Sequence, residues 1–349
     1  MKAAVLHNQE DLRYEKIETP KAGEGEVIIH VKATGICGSD IPRVNACAAH
    51  YYPIVLGHEF SGIVSEVGKG VENIKVGEHV TAAPLVPCMK CDDCQKGNFS
   101  LCKHYKFIGS SLFGSFADFV KVPARNVVKF DASVPFEEGA FFEPATVGLH
   151  GVKCAGFHGG KDVAILGGGT VGLFTMQWAK IFGARRAVVF DISDSRLALA
   201  KNLGADVVIN TNDQDFMEQI REMTGGKGFP FVFETAGQNA TMNIAFDIAS
   251  NKASVCFIGT SSIDILFPWR KFELMNRKEF RLTGSWMSYS APFPGDEWII
   301  AAECFSNGKL KYDPKLIYKR FPMSEAAQAF KLFKIPGEVK GKIMLINED

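Results

Sequence analysis

The chain shows two different patterns of hydrophobic and polar residues. Up to about residue 150, short apolar runs are separated by Gly and Pro, for example at residues 27–33, 60–68 and 79–81. Strands this short, lying between glycine-containing turns, are typical of β-rich domains. The first part of the chain is therefore predicted to be a compact β-rich domain that begins with a strand at the N-terminus.

From about residue 154 the pattern becomes an alternation of buried strands and helices. Residues 161–166 predict a strand, followed by a glycine-rich turn, a helix that ends near residue 182, and a second strand at residues 187–190. Further strands are predicted at 207–209, 231–235, 254–259 and 280–285, and helices at 195–203, 213–223 and 239–249. This alternation predicts an α/β fold with a doubly wound parallel (Rossmann) sheet that is covered by helices on both faces.

The C-terminal part adds two predicted helices, at residues 297–305 and 324–333, and a final strand at residues 341–346. That strand has no obvious place in the parallel sheet, so we assign the C-terminus to the first domain. Residues 1–153 and 287–349 are predicted to form the β-rich domain, and residues 154–286 the Rossmann domain. A length of 349 residues is typical of two domains.

Charge and composition narrow the classes of partner. The 39 basic residues balance 39 acidic ones, so net charge gives no reason to expect nucleic acid or a membrane surface as a partner. No apolar run in the sequence approaches the roughly 18 to 20 residues that cross a bilayer, and the N-terminal apolar run is too short for a secretory signal. The nine cysteines are an odd number, which suits reduced thiols that bind metal better than a disulfide framework. These features predict a cytoplasmic protein.

The glycine-rich turn indicates a dinucleotide site. It follows a strand and precedes a helix, and Asp191 lies at about the expected distance of ~20 residues beyond it, at the end of the next strand. Such a turn lets a pyrophosphate approach the N–H groups of the helix N-terminus. An acidic residue at the second strand binds ribose hydroxyls and repels a 2′-phosphate, so NAD is favoured over NADP. The predicted cofactor-binding residues are Gly167, Gly169, Thr170, Val171, Gly172, Asp191 and Arg196, the last of which has a solvated helix position as its alternative.

Four cysteines in one short polar loop indicate a closed metal site. They follow the spacing C-x2-C-x2-C-x7-C and are Cys88, Cys91, Cys94 and Cys102. Four thiolates close tetrahedrally on zinc and leave no open position, which predicts a structural zinc. The alternatives are unliganded thiols, an iron–sulfur cluster, whose usual spacing differs, and a nucleic-acid-binding zinc module, which Asp92 and Asp93 disfavour because they offset the nearby lysines.

A second set of metal-binding residue types is spread over three segments. A histidine beside a glutamate, as at His58 and Glu59, is more often an ordinary core or surface pair than a metal site. Together with Cys37 and Glu143, however, His58 completes a set of imidazole, thiolate and carboxylate. These three ligand types hold zinc and leave a fourth position open for water or substrate. The sequence therefore predicts a catalytic zinc.

Taken together, these motifs resemble the zinc-dependent medium-chain alcohol and polyol dehydrogenases over essentially the whole chain. The matching segments are residues 35–40, 57–59 and 143–148, the four-cysteine loop and the glycine turn. The resemblance implies that the β-rich catalytic domain is GroES-like and that Glu143 is the carboxylate ligand found in sorbitol-type enzymes. It also implies NAD, two zinc ions per subunit and a homodimer, with a tetramer as the alternative.

The resemblance also gives roles to the neighbours of these ligands. Glu59 is similar to the family's second carboxylate, which ligates zinc directly or through water, and Ser39 is similar to the hydroxyl that begins proton removal, with a helix cap as its alternative role. Pro42 stands where many alcohol dehydrogenases have a relay histidine, which leaves solvent, Glu59 or His50 to complete the proton path. The predicted catalytic residues are Cys37, Ser39, His58, Glu59 and Glu143.

A narrower resemblance, to polyol-phosphate dehydrogenases, lies in residues 50–54, 107–110 and 284–298. It implies oxidation of a secondary hydroxyl of a sugar alcohol phosphate. Arg43, His50 and Tyr51 are candidate phosphate donors, and Trp286 and Tyr289 are candidates for the sugar side, with core packing as their alternative. Two other functions remain open: a dehydrogenase of an unphosphorylated polyol such as sorbitol, or of threonine, and a non-catalytic zinc- and nucleotide-binding protein.

Overall fold

The structure, a computed structural model, describes residues 1–347. Residues 348 and 349, which belong to the predicted segment 287–349, lie outside the described residues. The strands are β1 (Lys2–Asn8), β2 (Asp11–Lys16), β3 (Glu26–Gly35), β4 (Ile54–Val55), β5 (Glu59–Val67), β6 (His79–Ala82), β7 (Leu85–Val86), β8 (Lys106–Phe107), β9 (Phe119–Pro123), β10 (Val127–Lys129), β11 (Asp162–Leu166), β12 (Arg186–Asp191), β13 (Val207–Asn210), β14 (Phe229–Glu234), β15 (Ala249–Phe257), β16 (Arg281–Gly284), β17 (Ile317–Pro322) and β18 (Lys342–Ile346).

Helices connect these strands or follow them. The α-helices are α1 (Asp40–Asn45), α2 (Asp92–Gln95), α3 (Phe136–Gly139), α4 (Phe142–Cys154), α5 (Thr170–Ile181), α6 (Asp194–Asn202), α7 (Phe216–Thr224), α8 (Asn239–Ile248), α9 (Trp269–Lys278), α10 (Asp296–Ser306) and α11 (Ala326–Leu332). Short 3₁₀ helices lie at Phe99–Leu101, Ala124–Asn126, Pro314–Leu316 and Met323–Glu325. Within residues 1–347, no helix combines the length and the apolar character that a membrane crossing requires.

One compact unit contains a parallel sheet of six strands in the order β13-β12-β11-β14-β15-β16. The central strand β11 is buried along its whole length, and its last residue, Leu166, lies opposite Phe190 on one side and Glu234 on the other. The strand order reverses between β11 and β14, and such a switch point opens a crevice at the carboxyl ends of the strands. The predicted doubly wound parallel sheet is confirmed.

The other compact unit is built mainly from antiparallel strands. Its larger sheet has the order β10-β6-β5-β3-β18-β17, and β9 also pairs with β3. A three-stranded sheet, β2-β1-β4, and the pair β7-β8 complete this unit. One apolar core lies against β3, β5, β6 and β9 and is formed by buried Val, Ile, Ala and Phe side chains.

The long strand β3 determines where the candidate catalytic residues lie. Its last residue, Gly35, pairs with Glu59, the first residue of β5, and with Met344, the middle residue of β18 and the first that pairs with β3. Both neighbouring strands run antiparallel to β3, so the end of β3 meets the beginnings of β5 and β18. Three segments that are far apart in the sequence therefore come together at one end of this sheet.

The boundaries of the compact units differ from the predicted ones. The first unit comprises Met1–Glu143, Tyr289–Gly308 and the chain from Pro314 onward, and the second comprises Pro144–Ser288 and Lys309–Asp313. Most of α4 belongs to the second unit because Trp178 Nε1 donates a hydrogen bond to Ala145 O at 2.8 Å. The segment 309–313 is held there because the side-chain amide of Gln177 exchanges two hydrogen bonds with the backbone of Lys311.

Helix α9 was not predicted from the sequence. Of its ten described residues none is buried, and Trp269 is 68% exposed. An apolar stripe that faces a core is the main signal of a helix in a sequence, and in α9 the side chains that pack against the core, Leu274 and Met275, are only half-buried.

Glu138, in the short helix α3, is expected to make the stability of the protein depend on pH. Burial raises the pKa of Glu138 to about 7. Between the ordinary glutamate pKa of about 4.3 and 7, the folded chain therefore holds a proton that the unfolded chain has lost, and stability falls as pH rises. We expect Glu138→Gln to gain stability relative to the parent protein across this window. Thermal unfolding from pH 4.5 to 8 measures this, with the exposed Glu72→Gln as the control. A difference in unfolding temperature between parent and variant that stays constant with pH would contradict the raised pKa of Glu138.

Candidate metal and dinucleotide sites

Cys37, His58 and Glu59 form a compact group at the end of β3. One ligand atom from each residue lies within 4.8 Å of the corresponding atoms of the other two. His58 and Glu59 are only 4% and 2% exposed. The strand pairing explains this group, because Cys37 follows the end of β3 while His58 and Glu59 stand at the beginning of the neighbouring β5.

Glu143 lies near this group without belonging to it. Among the described residues, the group whose ligand atoms are mutually within 4.8 Å contains Cys37, His58 and Glu59 but not Glu143. Burial raises the pKa of Glu143 to about 7, and the charges of His58 and Glu59 act on it as well. The predicted carboxylate ligand is thus close enough to interact with the group electrostatically.

The charges around this group favour a divalent cation. The acids are Cys37, Asp40, Glu59 and Glu143, and the resident cations are Lys342 and Arg43. Burial raises the pKa of the Cys37 thiol, and the Glu59 carboxylate raises it further. Buried acids that ionise need compensating positive charge. With all four acids ionised, two positive charges are missing, which is the charge of one zinc ion.

Two buried atoms that lack hydrogen bonds also suit a metal at this position. In the described part of the chain, His58 Nδ1 and Glu59 Oε2 are buried side-chain atoms without a hydrogen-bond partner. The nearest acid to His58 Nδ1 is Asp40 Oδ1, at 3.7 Å, which is too far for a hydrogen bond. Imidazole, thiolate and carboxylate are the donors of catalytic zinc sites, so the residues present fit zinc.

Lys342 is a member of the site that the sequence reasoning missed. It is the first residue of β18, is 9% exposed, and donates a hydrogen bond from Nζ to Glu59 Oε1 at 2.8 Å and to Ile36 O at 3.2 Å. A lysine at the start of an otherwise apolar buried strand was a signal in the sequence. Its partner, however, lies 283 residues away and is identified only by the strand pairing.

Ser39 lies at the surface beside this group. It precedes α1 and makes no side-chain capping hydrogen bond to that helix, which removes the capping role considered above. Its hydroxyl instead accepts a hydrogen bond from Arg43 Nη1 at 2.9 Å, and the same nitrogen donates to Ser39 O. Arg43 Nη2 reaches Ser110 Oγ at 3.3 Å. The guanidinium therefore fixes the position of Ser39.

The other candidates for substrate contact differ in exposure. Tyr289 is buried, stacks on Trp298 and accepts a hydrogen bond on its hydroxyl from Leu85 N at 3.0 Å, which favours the core-packing role. Trp286 is 51% exposed. His50 is exposed, and the exposed Tyr51 donates a hydrogen bond to Ser111 O at 3.4 Å.

The four cysteines of the polar loop form a second compact group. Ligand atoms of Cys88, Cys91, Cys94 and Cys102 all lie within 4.8 Å of one another. Hydrogen bonds from backbone N–H groups, that of Lys90 first, lower the pKa of Cys88 to about 6, whereas burial raises the pKa of Cys94 to about 12. Four converging sulfur atoms fit a closed zinc site.

The glycine turn and Asp191 line a cavity of about 590 Å³ at the carboxyl ends of the parallel strands. A Cβ on Gly172 would lie 1.9 Å from Gly167 O, so only glycine fits there. The Asp191 carboxylate accepts hydrogen bonds from Gly168 N at 2.7 Å and Ser193 N at 2.9 Å, and Arg196 Nη1 lies 3.8 Å away. Thr170 and Val171 begin α5.

A larger cavity, of about 760 Å³, lies at the opposite, amino ends of the same strands. Its lining includes Arg185, Arg186 and Lys278 but none of the predicted cofactor residues. The switch point between β11 and β14, together with the glycine turn, makes the smaller cavity the candidate dinucleotide site.

Comparisons with known proteins identify the class of enzyme. The chain matches the Alcohol dehydrogenase GroES-like domain over residues 23–132 and the Zinc-binding dehydrogenase model over residues 170–302. It is 39% identical over 323 residues to galactitol 1-phosphate 5-dehydrogenase of Escherichia coli K12, covering 93% of each chain. The crystal structure of galactitol-1-phosphate dehydrogenase from Escherichia coli superposes with a TM-score of 0.93 at 38% identity, covering 99% of this chain and 100% of that one.

Two other solved relatives hold nicotinamide cofactors. A dehydrogenase of Escherichia coli CFT073 complexed with NADH has a TM-score of 0.86 at 29% identity, with 99% of each chain covered. A putative zinc-binding dehydrogenase of Sinorhizobium meliloti 1021 bound to NADP has a TM-score of 0.88 at 28% identity, covering 99% of this chain and 98% of that one. The predicted fold class, enzyme class and cofactors, NAD and zinc, are confirmed. The chain belongs to the zinc-dependent medium-chain alcohol dehydrogenases.

Proposed function

We propose that the enzyme oxidises a secondary hydroxyl of galactitol 1-phosphate, giving tagatose 6-phosphate and NADH. The observation that carries this proposal is the compact Cys37–His58–Glu59 group, which lies beside the exposed hydroxyl of Ser39. The sugar alcohol phosphate is supported by the 39% identity to a galactitol 1-phosphate 5-dehydrogenase. The guanidinium of Arg43, which adjoins Ser39, also suits an anionic substrate.

Cys37, His58 and Glu143 would hold the catalytic zinc, with Glu59 as a further carboxylate at the same site. When bound, zinc acts as a Lewis acid that lowers the pKa of a substrate hydroxyl. A bound NAD would supply the hydride acceptor. The protein binds and orients the two reactants, and its buried charges set the field in which the proton and the hydride leave the substrate.

Ser39 would take the proton from the substrate hydroxyl. One of its lone pairs accepts the hydrogen bond from Arg43, and a guanidinium cannot take up a proton. As Ser39 accepts this proton, its own hydroxyl proton therefore passes to solvent, since Ser39 is exposed and Pro42 occupies the position of the family's relay histidine. Arg43 keeps the hydroxyl oriented during this transfer.

The assembly and location are also proposals. β16 is an edge strand of the parallel sheet and is mostly exposed, so a second copy of the chain can pair along it to form a homodimer. None of the nine cysteines, all of which lie within residues 1–347, forms a disulfide, which suits the reducing cytoplasm. Sedimentation equilibrium tests the dimer, and a monomer at micromolar concentration would contradict it.

A substrate panel tests the proposed reaction. We expect NADH formation on galactitol 1-phosphate with a kcat/KM about 10- to 100-fold above that on galactitol, because charged hydrogen bonds to phosphate contribute about 1.5–3 kcal/mol. Sorbitol and threonine at equal concentrations serve as competing substrates. A preference for an unphosphorylated polyol or for threonine would overturn the substrate assignment. Bound zinc and NAD without turnover of any panel member would favour the non-catalytic alternative.

Replacing a proposed ligand tests the catalytic zinc. His58→Ala should lose one of two zinc ions per chain and lower turnover by about a thousandfold, since Lewis-acid stabilisation supplies several kcal/mol. Cys47→Ala is the matched control, because Cys47 is an exposed cysteine that belongs to neither metal group. Zinc content and NADH formation are measured on the same samples. Normal turnover after loss of that zinc would exclude the proposed role.

Asp191 generates a prediction about cofactor choice. Asp191→Asn keeps an oxygen that can accept from the turn N–H groups but removes the charge that repels a 2′-phosphate, while Arg196 remains nearby. We expect the ratio of kcat/KM for NAD to that for NADP to fall at least about tenfold. Asp194→Asn, on the neighbouring helix, is the control. An unchanged ratio would show that Asp191 does not select the cofactor.

A further inference from the structure

The ion pair between Lys342 and Glu59 is buried inside the candidate metal site. Lys342 Nζ lies 2.8 Å from Glu59 Oε1 and 2.5 Å from Oε2, and only the contact to Oε1 has hydrogen-bond geometry. The ammonium also donates to Ile36 O. Because both side chains are almost fully buried, water cannot replace either partner. Each therefore strongly restricts the position of the other.

Glu59 has two competing electrostatic partners. One is Lys342, and the other is the metal that Cys37 and His58 would hold beside it. A carboxylate paired with an ammonium has less negative charge to offer a metal, and its position is fixed by the strand that carries the lysine. The oxygen without a hydrogen bond, Oε2, lies 2.5 Å from the same ammonium, so the lysine is in contact with both carboxylate oxygens.

Gly35 provides the space for this ion pair. A Cβ at Gly35 would lie 2.5 Å from Glu59 Oε2 and 3.1 Å from Lys342 Cδ. Any larger residue would push the carboxylate away from its observed position. The first glycine of the segment 35–40 is therefore explained by a contact with both members of the pair.

From these contacts we propose that Lys342 is a positioning residue that holds Glu59 back from the catalytic zinc and so keeps one coordination position open for the substrate hydroxyl. The inference depends on the proposed function, since it assumes a zinc ion at Cys37 and His58. Lys342, from the last strand of the chain, thereby becomes part of the metal site and acts on the metal through Glu59.

Removal of the lysine charge should have a specific consequence. In Lys342→Met, Glu59 is a buried carboxylate without its cation, and the zinc ion is the nearest positive charge that can satisfy it. Glu59 then becomes a full ligand and occupies the open position. Zinc should be held more tightly while turnover falls, which is the reverse of what loss of a merely structural residue would cause.

The test compares Lys342→Met, Lys342→Arg, Glu59→Gln and the double variant Glu59→Gln/Lys342→Met in the full-length protein. Release of the catalytic zinc to a chelator gives its affinity. Substitution of both zinc ions by Co²⁺ gives a visible spectrum that weakens as the coordination number rises. The four-cysteine site, which none of the variants touches, serves as an internal reference in both measurements.

We expect Lys342→Met to release the catalytic zinc on the order of tenfold more slowly than the parent. It should also show a weaker cobalt spectrum and a lower kcat. Lys342→Arg keeps a cation and should resemble the parent. In the Glu59→Gln background the lysine substitution should have no further effect on zinc release or on the cobalt spectrum, because its action passes through the Glu59 charge.

Other outcomes would show whether the inference about Lys342 or the proposed function itself is wrong. If Lys342→Met loses zinc faster than the parent, or changes zinc release equally in both backgrounds, Lys342 does not act through Glu59 and the inference is wrong. If the parent protein binds only the zinc of the four-cysteine site, the proposed function fails at the metal itself. Gly35→Ala is an independent variant that separates the pair sterically, and its zinc release should change in the same direction as that of Lys342→Met.

Discussion

The catalytic unit depends on the pairing of one strand with two others that are distant in sequence. Gly35, at the end of β3, pairs with Glu59 of β5 and with Met344 of β18. This register places the thiol of Cys37, the imidazole of His58 and the ammonium of Lys342 at the same end of the sheet. A shift of one residue in either pairing would turn Glu59 or Lys342 to the other face, and the buried ion pair would be lost.

Buried charge connects folding with chemistry at this site. Four acids and two cations lie within mutual electrostatic reach, and a divalent ion would balance them. Because metal binding to a buried set of ligands contributes to folding free energy, the catalytic metal also stabilises the unit that positions it. Lys342 and Arg43 then have different tasks: one restrains a carboxylate at the metal, and the other orients the exposed hydroxyl that receives the proton.

The sequence predicted those features that depend on local pattern or fixed spacing. The parallel sheet and its glycine turn follow from the alternation of apolar runs, and the four-cysteine group follows from spacing within one loop. Lys342 could not be placed because its partner is 283 residues away. The hydrogen bond from Arg43 to Ser39 depends on the geometry of one short helix turn. Helix α9 escaped prediction because none of its residues is fully buried and only half-buried side chains, Leu274 and Met275, contact the core.

The position of zinc relative to Cys37 and His58 tests this account most directly. Crystals of the zinc-loaded enzyme can be measured on both sides of the zinc absorption edge. We expect two anomalous peaks per chain, one among the four cysteines of the polar loop and one bonded to Cys37 Sγ and His58, with Lys342 still paired to Glu59. A single peak at the four-cysteine group, with no zinc between Cys37 and His58, would contradict it.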